Sequence, residues 1–190
     1  MLDKSPEMIL ENNLEEIKNK FEEKIPNIIF CSEHFHKMEF INSLIEDIDR
    51  PVIFLDVDLL YSGYIQSKMI QKKDNVRIIQ ANKENWNYRL ADIIDKVSKE
   101  KIFVVVDSLN VIYSMFNDLD SIIFINSCIM LLSSVGRKTN STIIITAIAR
   151  KKENNEWVLS PGGKQVVKSA ETRLYSLKKN QKDLVITSVR

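Results

Sequence analysis

Glycine is scarce in this chain: four in 190 residues, at Gly63, Gly136 and the adjacent pair Gly162 and Gly163. Backbone can lie against a phosphate only where no Cβ intrudes, and such loops use glycine for the unusual backbone angles they need. Little material is therefore available for a phosphate cradle. Cysteine is equally sparse. Cys31 and Cys128 form no C-x-x-C pair, which excludes a disulfide framework and points to a reducing compartment. The two histidines, His34 and His36, lie close to Cys31, but no fourth ligand is apparent, so ordinary loop and core roles outrank a metal site. No apolar run approaches the length of a membrane span, and the start of the chain lacks a secretory pattern. The cytoplasm is the expected location, with no membrane partner.

What is present is the composition of a soluble globular protein, 44% hydrophobic and 28% charged. The chain is long enough for one domain that buries roughly 70% of its unfolded surface without a metal or disulfide staple. Charge is segregated along it. Residues 150–190 carry ten Lys/Arg against four Asp/Glu, a surplus of six positive charges, whereas residues 1–149 carry a surplus of five negative ones. Such asymmetry points to a partner for the basic part, either nucleic acid or the acidic part of a neighbouring copy.

The most strand-like run is KIFVVVDSLN, residues 101–110. Ile102 to Val106 are apolar and mostly β-branched without alternation, which predicts a strand buried on both faces of a parallel sheet. Functional groups of such strands gather at their carboxyl ends, where Asp107 stands. From the strand alone, an acid that caps the following turn is the plainer role. Residues 50–58, RPVIFLDVD, and 141–149, STIIITAIA, form two further buried strands, and residues 27–31 and 75–80 two shorter ones.

Ser5-Pro6-Glu7 is a helix start, and Leu10, Leu14, Ile17 and Phe21 form one stripe, so an amphipathic N-terminal helix is expected over residues 1–25. Its expected role is packing on its own domain, with docking to another subunit as the sharper alternative. Helices are also expected after Tyr61, over 37–48, 85–99 and 119–135, and briefly over 164–170. The 119–135 segment is apolar nearly all round and should be sandwiched. Residues 150–155 read as a charged loop, and 172–177 with 183–188 as a closing hairpin. The architecture is one doubly wound α/β domain over residues 26–190.

Between the first strand and helix lies CSEHFHKM. Laid on the template G-x-x-x-x-G-K-[ST], Lys37 matches the lysine. Cys31 and His36 replace the two glycines, and Met38 replaces the hydroxyl that would ligate magnesium. His36 would crowd a phosphate there and Glu33 would repel it.

Together with VVVDSLN, FLDVDLLYSGYI, IIITAIAR and the ending SPGGKQVVKSAETRLYSLKKNQKDLVITSVR, this strand–loop–helix resembles the RecA superfamily. The resemblance is greatest to the RadA/RadB-type recombinase and KaiC-type ATPase cores and covers about residues 26–190. It implies a RecA-like doubly wound, mostly parallel sheet flanked by helices, with a C-terminal β-hairpin. Position by position, Asp107 matches the Walker B aspartate and Lys37 the Walker A lysine. Asp58 falls where these recombinases carry a catalytic glutamate. Ala147 and Ile148 replace a polar pair that senses the γ-phosphate, and residues 150–159 become a shortened second DNA-binding loop.

The departures set the functional expectation. Without cradle, metal hydroxyl or sensor amide, little remains to catalyse phosphoryl transfer, which is almost wholly positioning and electrostatics. Lys37, Asp58 and Asp107 are then remnants of a nucleotide site, no cofactor is expected, and ATP with magnesium would bind only if the site still functioned. The expectation is a non-catalytic assembly or regulatory subunit that joins its own kind or related RecA-fold subunits, similar in its missing Walker A motif to the Elongator accessory ring. The alternative is a RadB-like DNA- or RNA-binding module acting in recombination, repair or tRNA modification through Arg150, Lys151, Lys152, Lys164 and Lys168, with Trp157 as a stacking surface for single strands. An NTPase with an unorthodox phosphate loop is the second alternative.

Overall fold

A computed structural model of the chain describes residues 14–23, 25–116, 119–153, 156–160, 172–180 and 183–189. Among the described residues eight strands form one sheet: β1 (Asn27–Cys31), β2 (Val52–Asp56), β3 (Val76–Gln80), β4 (Phe103–Asp107), β5 (Thr142–Lys151), β6 (Trp157–Leu159), β7 (Arg173–Asn180) and β8 (Asp183–Ser188). Their order is β3-β2-β4-β5-β1-β7-β8, with β6 paired to the far end of β5. The ladders β3/β2, β2/β4, β4/β5, β5/β1 and β1/β7 are parallel, and the hairpin β7/β8 is antiparallel. This is the mostly parallel α/β sheet expected from the unalternated apolar runs, closed by the hairpin expected from the alternating segments at its end.

Those runs are explained by two cores, one on each face. Helices α1 (Leu14–Glu23), α2 (His34–Glu46) and α3 (Leu60–Gln66) cover one face, burying Phe21, Leu44 and Tyr61 against Phe54, Val105 and Ile144. On the other face lie α4 (Trp86–Lys99), α5 (Leu109–Met115) and α6 (Leu119–Thr139), which bury Ile93, Ile112 and Leu132 against Leu55, Val104 and Ile145. Successive residues of β4 therefore enter different cores, as the pleat requires. Helix α1 packs on this same domain: Phe21 meets Tyr175 edge to face at 5.0 Å, and Asn27 Nδ2 donates to the Phe21 carbonyl at 2.9 Å. Gly136 lets α6 lie close to the sheet, since a Cβ there would come within 2.9 Å of Ile143 and 3.2 Å of Ile25.

Four expectations need correction. Helix α2 begins at His34 rather than at 37, so only Ser32 and Glu33 connect it to β1. Helix α5 was not expected at all. It fills the space after β4 with two turns that bury Leu109, Ile112 and Tyr113. Helix α6 runs four residues further than expected and is not sandwiched: Ile123, Phe124 and Leu131 are exposed, because the sheet takes only one stripe of it. Finally, Arg150 and Lys151 are not loop residues but the end of β5, paired with Val158 and Trp157 of β6. The N-terminal residues 1–13 and the segment 161–171, including the glycine pair and the expected 164–170 helix, lie outside the described residues. Among the described residues, no helix is long and apolar enough to cross a membrane.

Candidate functional site

The carboxyl ends of β1, β2 and β4, with the middle of β5 beside them, bring five side chains together: Lys37, Asp56, Asp58, Asp107 and Thr146. Lys37 comes from the first turn of α2, immediately after β1, and is fully buried. Its Nζ donates to Asp107 Oδ1 at 2.5 Å and to Asp58 Oδ2 at 2.8 Å. Asp107 ends β4 and is also fully buried. Thr146, from the middle of β5, donates its hydroxyl to the same Asp107 Oδ1. The peptide bond from Asp107 to Ser108 is cis.

Asp58 follows β2, and its Oδ1 accepts the Leu60 N–H at 3.1 Å, opening α3. Between them Leu59 adopts a left-handed backbone, φ 61° and ψ 11°, a conformation that disfavours any residue with a Cβ. Asp56, at the last position of β2, is held from α3: Oδ2 accepts the Ser62 N–H at 2.8 Å and the Ser62 hydroxyl at 2.5 Å. The carboxylates of Asp56, Asp58 and Asp107 come within 4.8 Å of one another.

One ammonium thus pairs with two carboxylates, with the third, Asp56, close by and held by Ser62. Burial pushes the Asp107 carboxyl up to about 6, against the pull of Lys37, and the Asp58 charge adds to the rise. The Asp56 carboxyl is also raised by burial, although the Ser62 hydrogen bonds oppose it. Burial alone would lower the Lys37 ammonium, but Asp107 and Asp58 outweigh it and hold the lysine charged above its ordinary range. Burial pushes the nearby Cys31 thiol up to about 12, so it is no nucleophile at neutral pH.

Lys37, Asp58 and Asp107 are therefore one constellation. Two members were missed. Asp56 was visible as a second acid on the same strand end, and Thr146 as a lone hydroxyl in an otherwise apolar strand. Ile148 is buried, and its backbone is held by Asn110: Nδ2 donates to the Ile148 carbonyl at 2.8 Å and Oδ1 accepts its N–H at 2.8 Å. Asn110 Nδ2 also donates to the Ser160 carbonyl at 3.0 Å, tying the end of β6 to α5.

The basic residues lie elsewhere. Arg150, Lys151 and Lys152 are exposed on the β5–β6 arm and line a cavity of about 470 Å³ with Glu153. Trp157 is half-buried and stacks on Phe30, with ring centroids 5.2 Å apart and planes at 18°. One face of its indole is thus taken by the core. Lys164 and Lys168 lie outside the described residues.

No family model and no curated protein matches the chain. Among solved structures it is similar to a DnaB-like replicative helicase, from a structure of that helicase and its interactions with primase. The TM-score is 0.49 at 11% identity, over 81% of this chain and 47% of that one. The chain spans about half the length of that helicase, and at this similarity neither its activity nor its partners transfer.

Proposed function

We propose that this chain is a RecA-like NTPase paralogue whose nucleotide position is closed, and that it serves as a non-catalytic assembly or regulatory subunit. The observation that carries the reading is the Lys37 ammonium, buried between Asp58 and Asp107. A phosphate-binding lysine must present its charge to solvent-borne oxygens, and this one is already neutralised from within. The connection supports the same reading. With α2 starting at His34, the Lys37 N–H is bonded to the Glu33 carbonyl at 3.2 Å, so it belongs to a helical turn rather than a cradle. His36 Nδ1 lies 3.5 Å from the Glu33 carboxylate, whose charge would repel a phosphate at the helix start. These residues do not fit ATP with magnesium.

Thermal unfolding with millimolar ATP and magnesium tests this directly. The expected result is an unchanged melting temperature and no hydrolysis above background. A ligand at 100 times its Kd adds about 2.7 kcal/mol to stability, which for a domain of this size raises the midpoint by several degrees. A magnesium-dependent rise of that kind would favour an NTPase with an unorthodox loop instead.

A second reading, single-stranded nucleic-acid binding, is favoured by one observation: three consecutive cations exposed on the β5–β6 arm. Counterion release would then make affinity fall steeply with salt, with a slope of about −0.7 per neutralised phosphate. A labelled RNA or DNA single strand titrated across a salt series measures it, and the absence of binding at low salt removes this reading.

A further inference from the structure

Helix α6 carries no charged residue from Ser121 to Gly136, sixteen positions in a row. One side of it is packed, with Ile125, Cys128 and Leu132 entering the core beneath. On the other side Ile123, Phe124, Ser127, Leu131 and Ser134 are exposed. A helix face meant for solvent carries charge, as α4 does with Arg89, Asp95 and Lys99 exposed. Single exposed apolar residues such as Met69 or Tyr88 need no explanation, but a connected apolar stripe on an uncharged face does. The stripe also has a period. Asp120, Phe124, Ser127, Leu131, Ser134 and Lys138 follow one another at four, three, four, three and four residues, which is the spacing of a coiled-coil seam. The Ser127 hydroxyl donates to the Ile123 carbonyl at 2.9 Å within the helix, so it can be covered without leaving a polar group unpaired.

We propose that this face of α6 is an interface between two copies of the chain, packed antiparallel about a two-fold axis. Along the seam the residues run acid, large, small, large, small, base. In an antiparallel pair the first position faces the last, the second the fifth, and the third the fourth. Phe124 of one copy then falls opposite Ser134 of the other, and Leu131 opposite Ser127. Large side chains thus meet small ones throughout, and the layers interdigitate. Asp120, in the first turn of α6, falls opposite Lys138 in the last turn, so opposite charges close both ends. A parallel pair would set each residue against itself, with Phe124 on Phe124 and like charges together at both ends. The seam is therefore complementary to itself in one direction only. A contact of this kind is isologous and closes at two copies. The proposal names a second copy as the partner in the assembly role above and rests on that role.

The test is analytical ultracentrifugation of the full chain over a concentration series from micromolar to millimolar. A monomer–dimer equilibrium is expected, and Leu131→Glu, which buries a charge at the middle of the seam, should leave only monomer. Asp120→Lys and Lys138→Glu each set like charges together at both ends, so each alone should weaken the dimer about tenfold or more. Mixed in equal amounts, the two variants restore both opposite-charge pairs, and a dimer as tight as the parent's should return. This recovery requires two folded proteins, so the arm holds even where Leu131→Glu folds poorly. A parent that stays monomeric throughout overturns the proposal. Weakening in both charge variants without recovery on mixing overturns it as well. An oligomer that ignores all three substitutions keeps the assembly role and removes this surface. A dimer that obeys the pairing yet shows a magnesium-dependent ATP shift keeps the surface and removes the non-catalytic reading.

Discussion

Lys37 and the run Arg150-Lys151-Lys152 bring the same sign of charge into opposite surroundings. Lys37 is fully buried, with two carboxylates within 2.8 Å. The three arm residues are exposed, and among the described residues no carboxylate pairs with them as an ion pair. A buried cation is held by the desolvation its partners would suffer without it, whereas an exposed one is screened by water and salt. The first setting makes charge an element of folding and the second leaves it available to a partner. The difference explains why a lysine in the template position does not by itself imply phosphate binding: its surroundings decide what it neutralises.

The sharpest way to break that contrast is Lys37→Met. The substitution leaves Asp56, Asp58 and Asp107 together without a counter-charge. Breaking one side of a buried pair typically costs about 3–5 kcal/mol, and a loss of that size in urea denaturation near neutral pH is expected. The sign of its pH dependence follows from Asp107. A carboxyl whose folded pKa is raised, here from 3.8 to about 6, contributes stability that is present below the lower value and lost as pH rises through the higher one. Removing the ammonium raises that carboxyl further, so the variant should recover stability on going from about pH 7.5 to about pH 5. In the parent protein, the raised ammonium contributes stability that is present up to 10.5 and lost as pH climbs through its folded value. A pH-independent loss below about 1 kcal/mol would mean that Lys37 is not the cation of this cluster.

Much of this was legible before any coordinates. The strands were readable because parallel strands covered on both faces must be apolar at consecutive positions, and β4 and β1 show that plainly. Pairing was less legible than burial. Arg150 and Lys151 read as loop because side chains report solvent, while the backbone of β5 goes on pairing with β6. Helix α5 was invisible for a related reason: seven residues with no side-chain cap give too short a period to register. The start of α2 was misplaced because the phosphate-loop template stretched a loop over residues that form a helical turn. Of the site, the individual charges could be picked out, but not that Lys37 and Asp107, seventy residues apart, share a bond. Thr146 carried a weaker signal, since a threonine in a strand is ordinary on β-propensity alone.

A smaller effect is expected at the rim of the buried centre. Leu59 is 52% exposed, so its side chain contributes little burial, yet its backbone is left-handed at φ 61°. That conformation costs an L-residue about 1–2 kcal/mol, which glycine avoids while losing about 0.5–1 kcal/mol more chain entropy on folding. Leu59→Gly should therefore raise stability by roughly 0.5–1 kcal/mol, a rise of a few degrees in midpoint at most. If so, the bend is a strain accepted to bring Asp58 onto Lys37. If stability falls instead, Leu59 makes contacts that outweigh its backbone.

The smallest effect should come from the exposed side of the contrast. Replacing Arg150, Lys151 and Lys152 together by alanine removes three charges but no backbone bond. The β5–β6 ladder and the Lys152 N–H to Glu156 carbonyl bond of 2.8 Å use main-chain atoms only. Exposed charges contribute little to stability, and alanine is a modestly poorer strand former than the residues it replaces, so the net change should stay within about 0.5 kcal/mol. Salt should narrow what small difference remains, because the charges removed are exposed and screened. Urea denaturation of both proteins at low and high salt measures this. Any affinity of the parent for a single strand of RNA or DNA should fall in the variant, with a flatter salt slope, while stability stays put. A stability loss above about 1 kcal/mol would show that these cations hold the arm in place, and the division between folding charge and available charge would fail.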